Sequence, residues 1–230
     1  MSLICSRDNF LEISNGKTLI FTFNEMLFKI ESMSVFNLNE QNSNLDNKIV
    51  AGLERISQVF KTLLWEKSKA FNLSPIQIQL LIFIQHHASN QCTVSYLAQE
   101  FNISKPTVSE TIKILEQKKY IQKVVDAVDT RSYRVILTAR GEEIVFETES
   151  FTNPLTEIVS QSSIEDKITL WKNISSMILQ LNKMNIITIQ RSCYNCHYFS
   201  NENDKPFCGL LNQELEVEAI RMDCGEFNPA

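Results

Sequence analysis

Between Thr93 and Gly141 the chain runs TVSYLAQEFNISKPTVSETIKILEQKKYIQKVVDAVDTRSYRVILTARG, two helical periodicities that meet at a very short turn and then give way to two β-branched runs. Val94, Leu97, Ala98 and Phe101 recur at three- and four-residue intervals with Thr93 available as N-cap, which predicts a first helix. After the turn Phe101-Asn102-Ile103, Ser104 can accept from the free N–H groups of a second helix. Pro106 near its start costs nothing, because those N–H groups have no helical partner. The second helix is expected to reach about Lys119, with Val108, Ile112 and Leu115 as its buried stripe and Lys105, Thr107, Ser109, Glu110 and Lys113 facing outward. Ile121 to Val125 and Ser132 to Leu137 flank Asp126 to Arg131, so a two-stranded wing follows, with Arg131 near its tip.

Helices in this order, joined by so tight a turn, form a helix-turn-helix, in which outward residues near the start of the second helix meet base edges in the major groove. The formal charge of the whole chain, -5, argues against a polyanionic partner. Its distribution does not: Ser104 to Arg140 holds eight basic residues (Lys105, Lys113, Lys118, Lys119, Lys123, Arg131, Arg134, Arg140) against four acidic ones, a net +4 that leaves -9 for the remainder. Such segregation concentrates positive field where phosphate contacts and counterion release would occur.

Asp129-x-Arg131 and Leu137-Thr138-x-x-Gly141, preceded by Ser104-Lys-Pro-Thr-Val-Ser and Leu73-Ser-Pro-Ile-Gln, resemble the MarR family of winged-helix transcription regulators over roughly residues 44 to 185. The resemblance implies a homodimer on a pseudo-palindromic site in double-stranded DNA. It places the helix from Lys105 in the major groove and Arg131 in the minor groove, with Asp129 orienting that arginine. Where many members carry a basic residue this chain has Glu110. A carboxylate there repels phosphate but can accept from a cytosine amino group.

Outside this segment, Leu45, Ile49, Leu53, Ile56, Phe60 and Leu63 form a helical stripe of more than five turns. Ser74-Pro-Ile-Gln77 is a capping box with proline at the first helical position, opening a helix through about His86. Ser162-x-x-Glu165 opens another long helix, striped by Ile164, Ile168, Trp171, Ile174, Ile178 and Leu181. These stripes carry more apolar surface than a winged helix of this size can cover, which points to a partner subunit. The adjacent His86 and His87 cannot share one helix face and are expected at the negative end of a helix dipole. Near the start, Thr18 to Phe23 is a candidate strand, Glu25 to Met33 a candidate helix and Asn37 to Asn44 a linker. With 43% apolar residues among 230 the chain can bury a sizeable core. Its most apolar early run, Leu19 to Phe23, is too short to span a bilayer, and Asp8 with Glu12 spoils a signal peptide, so a cytoplasmic protein with reduced thiols and no membrane partner is expected. No Gly-rich phosphate loop, Ser/His/Asp constellation or His-Glu-x-x-His motif supports an enzyme.

The tail carries separate chemistry. Cys193, Cys196, Cys208 and Cys224, four of the six cysteines, form a Cys-x2-Cys-x11-Cys-x15-Cys array. Two thiolates two residues apart can bind one centre from a single turn, and two more complete a four-ligand site. Cys5 and Cys92 are isolated and read as small apolar side chains. Both a zinc ion and a [4Fe-4S] cluster accept four cysteines; the separated Cys208 and Cys224, unlike the second Cys-x2-Cys of a zinc ribbon, favour the bulkier cluster. The segment also resembles the small iron-sulfur domains that accompany some glycyl-radical enzymes. Cys193-Tyr-Asn-Cys196-His197 matches the c-type haem attachment pattern, a coincidence without secretion.

The expected architecture is mainly α with a small β wing: an N-terminal extension (1–40), a winged helix-turn-helix with long N- and C-terminal dimerisation helices (41–192), and a small cysteine-rich domain (193–230). The expected function is sequence-specific DNA binding governed through the cysteines by redox state, oxygen, nitric oxide or iron supply, with the tail acting along the long helix Ile164 to Lys183. Two alternatives are a regulator answering a small-molecule effector, with a structural zinc knuckle, and an electron-transfer or enzyme-activating module.

Overall fold

The computed structural model describes the backbone of residues 4–6, 9–14 and 17–22, and residues 34–125, 133–187, 191–202 and 205–230. The chain divides into two compact units, Met1–Thr62 and Leu63–Ala230.

In the first unit, β1 (Ile4–Ser6), β2 (Asn9–Ser14) and β3 (Lys17–Thr22) form an antiparallel meander, with Phe10 opposite Phe21 and Glu12 opposite Leu19. The strand expected from Thr18 is β3; the helix expected over Glu25 to Met33 lies outside the described residues. The segment 37–44, expected as a linker, instead holds a short helix, α1 (Leu38–Ser43), because the Asn37 side chain accepts from the N–H groups of Asn39 and Glu40. Helix α2 (Leu45–Phe71) follows, and the unit boundary falls within it. Leu45, Ile49, Leu53, Ile56 and Phe60, the early part of its stripe, are all exposed.

The second unit is built on α3 (Pro75–His86), α4 (Val94–Glu100), α5 (Lys105–Gln117), β4 (Ile121–Val125), β5 (Tyr133–Leu137) and α6 (Ala139–Thr148). Ser74 caps α3 through the expected box: its hydroxyl accepts from the Gln77 N–H at 3.4 Å while the Gln77 side-chain oxygen accepts from the Ser74 N–H at 3.0 Å. Leu80, Leu81, Leu97, Val108, Ile112, Leu115, Val135 and Val145 are fully or almost fully buried in one cluster that joins these elements. Strands β4 and β5 pair antiparallel, Ile121 with Leu137 and Val125 with Tyr133, and the Val135 N–H donates to the Cys92 carbonyl at 2.9 Å, tying the wing to the entrance of α4.

Two further helices follow, α7 (Asn153–Ser160) and α8 (Ile164–Lys183). The cap of α8 differs from expectation by one residue. Ser163 has extended backbone angles and its hydroxyl accepts from the Asp166 N–H at 3.1 Å, whereas the Ser162 N–H is taken by the Val159 carbonyl at the end of α7. The tail holds a small antiparallel sheet, β6 (Phe199–Glu202), β7 (Lys205–Cys208) and β8 (Gln213–Glu214). Among the described residues no helix is long and apolar enough to cross a membrane.

Candidate nucleic-acid interface and cysteine centre

The turn between α4 and α5 works because Asn102 adopts a left-handed backbone, φ 50°, which asparagine tolerates better than most residues. Ser104 then caps α5, its hydroxyl accepting from the Thr107 N–H at 3.2 Å, with Pro106 in the first turn. Val108, Ile112 and Leu115 face the core, which fixes the rotation of the helix about its own axis. Lys105, Thr107, Ser109, Glu110 and Lys113 are exposed, as the spacing predicted, and so are the capping Ser104 and Pro106. Glu110 and Lys113 lie 3.9 Å apart across one turn, and both remain largely open to solvent. Asp129 and Arg131, the expected tip of the wing, lie outside the described residues.

The root of the wing is held by the Leu137-Thr138-x-x-Gly141 motif. Thr138 donates its N–H to the Tyr120 carbonyl at 3.0 Å and its hydroxyl to the Lys119 carbonyl at 2.7 Å, while that hydroxyl accepts from the Gly141 N–H at 3.1 Å. One threonine therefore joins the residues just after α5 to the start of α6. A Cβ on Gly141 would fall 2.0 Å from the Tyr120 carbonyl oxygen, so the close approach requires glycine.

Cys193, Cys196, Cys208 and Cys224 are partly buried free thiols that line one cavity with Tyr198, Phe199, Leu210 and Leu215. Burial pushes the Cys193 thiol up, the Arg221 N–H that donates to its sulfur at 3.3 Å pulls it down, and nearby Cys224, Cys208 and Cys196 push it up again. The Arg221 guanidinium lies 3.6 Å from the Cys224 sulfur. Among the described residues no three His, Cys, Asp or Glu side chains are set to hold a single metal ion. Four cysteines thus line one apolar-walled cavity, with Arg221 donors aimed at the sulfurs of Cys193 and Cys224. Cys92 is apart from this group: it is 1% exposed, burial pushes its thiol up to about 11, and its sulfur is 3.6 Å from the Ala88 carbonyl.

Sequence reasoning missed a polar cluster that joins the tail to α4. Arg191 is only 6% exposed, yet its Nη1 donates to the Tyr96 hydroxyl at 2.8 Å and to Glu100 at 2.7 Å, and its Nε donates to Asp223 at 2.5 Å. Burial works against its charge, but Asp223, Glu100 and Tyr96 together hold its pKa above the ordinary arginine value. Hydrogen bonding from Arg191 in turn holds the Asp223 carboxyl below the usual range. His87 is the C-cap of α3, as expected, but its ring also stacks on Phe83 at 3.7 Å and contacts Asp223 at 2.9 Å. A lone arginine just ahead of a Cys-x2-Cys run gives no local hint of partners more than ninety positions away.

Residues 71–132 match the model of the MarR family. Over 65 residues the chain is 32% identical to the HTH-type transcriptional regulator BilQ of Clostridioides difficile (strain CD3), an alignment spanning 28% of this chain and 43% of that protein. The crystal structure of the S. aureus MepR–DNA complex is similar at 28% identity and a TM-score of 0.51, covering 57% of this chain and 97% of MepR. S. aureus MepR in a DNA-binding conformation gives 28% identity, a TM-score of 0.52, and 58% and 98% coverage. The winged helix-turn-helix is thus shared with that family, and the similarity to MepR leaves over two fifths of this chain unmatched.

Proposed function

We propose that this chain is a MarR-type transcriptional regulator that binds double-stranded DNA as a homodimer, and that its four tail cysteines hold a [4Fe-4S] cluster through which redox or iron state governs binding. The observation that carries the DNA reading is the exposed polar set on the first turns of α5, Ser104 to Lys113, presented by a helix whose opposite side is locked in the core. Support comes from MepR, which has been crystallised as a DNA complex and whose fold this segment shares. The exposed apolar residues of α2, and separately Ile164, Leu170, Met177 and Leu181 of α8, support a second copy as their cover. The cluster reading rests on four cysteines that line one cavity, with Cys208 and Cys224 separated in sequence rather than paired as in a zinc ribbon. When bound, such a cluster supplies one-electron chemistry and sensitivity to oxidants; the chain contributes four thiolates, the apolar wall and the Arg221 donors.

Duplexes selected from a random pool by the full-length protein provide the probe. Replacing Lys105 and Arg131 with alanine is expected to weaken binding to the selected duplex by roughly tenfold or more at fixed salt; unchanged affinity would count against the recognition surface. Anaerobic purification with metal analysis and an absorption spectrum tests the cysteines separately: broad visible absorption with iron and sulfide is expected, and a colourless protein with one zinc would overturn the cluster in favour of a structural zinc knuckle.

A further inference from the structure

We propose that the cysteine segment is a strut between helix α8 and the helix-turn-helix, with Arg191 as the positioning residue that clamps it to α4, so that assembly of the four-cysteine centre sets the position of the recognition helix. The inference rests on the proposed function and deepens it, because it names the route by which the cysteines reach the DNA-reading residues.

At the head side the Arg191 guanidinium lies 5.5 Å over Phe83 and 5.8 Å over Tyr96. It forks onto Glu100 with Nη1 at 2.7 Å and Nη2 at 3.3 Å, and onto Asp223 with Nε at 2.5 Å and Nη2 at 2.7 Å. Glu100 is the last residue of α4, directly before the turn into α5. The clamp therefore grips the chain at the root of the recognition helix. At the other side the Trp171 indole N–H donates to the Val217 carbonyl at 3.1 Å, and the Asn195 side chain donates to Asn182 at 3.1 Å, tying the tail to α8 at two levels.

Between these two anchorages stand the cysteines. Asp223 immediately precedes Cys224, and Arg191 lies two residues before Cys193. The two short segments are joined by Cys224 N–H to the Arg191 carbonyl, Cys193 N–H to the Arg221 carbonyl and Arg221 N–H to the Cys193 sulfur, at 3.1, 3.1 and 3.3 Å. These bonds hold the register of the 221–224 segment, and with it the carboxylate that completes the fork, and Cys193 or Cys224 takes part in each of them. Loss of the centre releases that segment, removes Asp223 from the guanidinium and leaves a buried charge with one of its two carboxylate partners, an arrangement that must rearrange rather than relax slightly. Coupling thus runs through direct contacts on α4, in addition to the continuity of the tail with α8 that the sequence suggested.

Amide hydrogen exchange on the full chain, isolated anaerobically, provides the test. In Cys193→Ser/Cys224→Ser, exchange across Val94–Glu100 is expected to accelerate about tenfold as the tail opens. Arg191→Gln, and the milder Glu100→Gln should Arg191→Gln fail to fold, are expected to accelerate the same amides. Combined with the cysteine pair they should add no further acceleration, because both act on one connection. Unchanged exchange of Val94–Glu100 in the cysteine variant while 193–224 exchanges freely overturns the proposal, as do fully additive effects. The same proteins are titrated with the duplex selected from the random pool. Affinity that depends on the cysteines in wild type but not in the Arg191→Gln background supports the strut. Absence of DNA binding in every protein, wild type included, defeats the regulator reading, and the exchange comparison then decides the strut by itself.

Discussion

A close backbone approach and the bonds of one threonine make the joint between α5 and the wing. Gly141 sits where its missing side chain admits the Tyr120 carbonyl, and the obstructing atom is backbone, which cannot swing aside. Gly141→Ala is therefore expected to destabilise the protein by about 1–3 kcal/mol, the usual range for forced overpacking, read as a shift in the urea midpoint at constant slope. Thr138→Val probes the same joint from the other side. It removes the hydroxyl that donates to Lys119 and caps α6 and is expected to cost about 1–2 kcal/mol, measured in the same way. Glu110 belongs to a different class of residue: it is exposed and set 3.9 Å from an equally exposed Lys113, so it adds little to stability.

At the scale of elements, α2 carries an extensive apolar surface open to solvent. Leu53 and Ile56 are 40% and 48% exposed on one stripe of a 27-residue helix. Leu53→Glu/Ile56→Glu is expected to convert a dimer into a monomer in sedimentation at micromolar concentration, raising the dimer dissociation constant roughly a hundredfold, while helicity by circular dichroism stays unchanged. A wild-type monomer at that concentration would refute the partner cover altogether. Elements with local instructions were legible in the sequence: the capping box at Ser74, the Ser104 cap, the stripe Val108, Ile112, Leu115 and the paired runs of the wing all signal within a few residues. Two elements show the limits of such signals. Helix α1 is polar and short, so its composition reads as linker, and the cap of α8 falls on Ser163 rather than Ser162 because the Ser162 N–H is already taken by the Val159 carbonyl. The exposed face of α5 was readable from period and charge, and the four cysteines from their clustering. The Arg191 cluster was not, because Glu100, Tyr96, His87 and Asp223 come from three remote parts of the chain and acquire meaning only when folding brings them together.

For the whole molecule, the net +4 of the segment 104–140 does not say which of its cations a phosphate would meet. Lys123 is engaged by Glu116 at 2.6 Å, Lys118 donates to the Asn72 carbonyl at 2.5 Å, and Arg140 lies 5.0 Å over the Tyr120 ring. Lys105 and Lys119 are exposed, and Lys113 is only loosely matched by Glu110. Counterion release depends on cations that are available to phosphate, not on formal charge. Replacing Lys105 with alanine is accordingly expected to lower the slope of log affinity against log salt by about 0.9 for each phosphate that this lysine neutralises. Lys123→Ala should leave the slope almost unchanged, since it removes a charge already compensated within the fold. The comparison requires only titrations of the two variants with the same selected duplex over a range of salt. An equal drop in slope for both would mean that the field of the whole segment, rather than particular exposed lysines, attracts DNA; an unchanged slope in Lys105→Ala with reduced affinity would move that residue from phosphate to base contact.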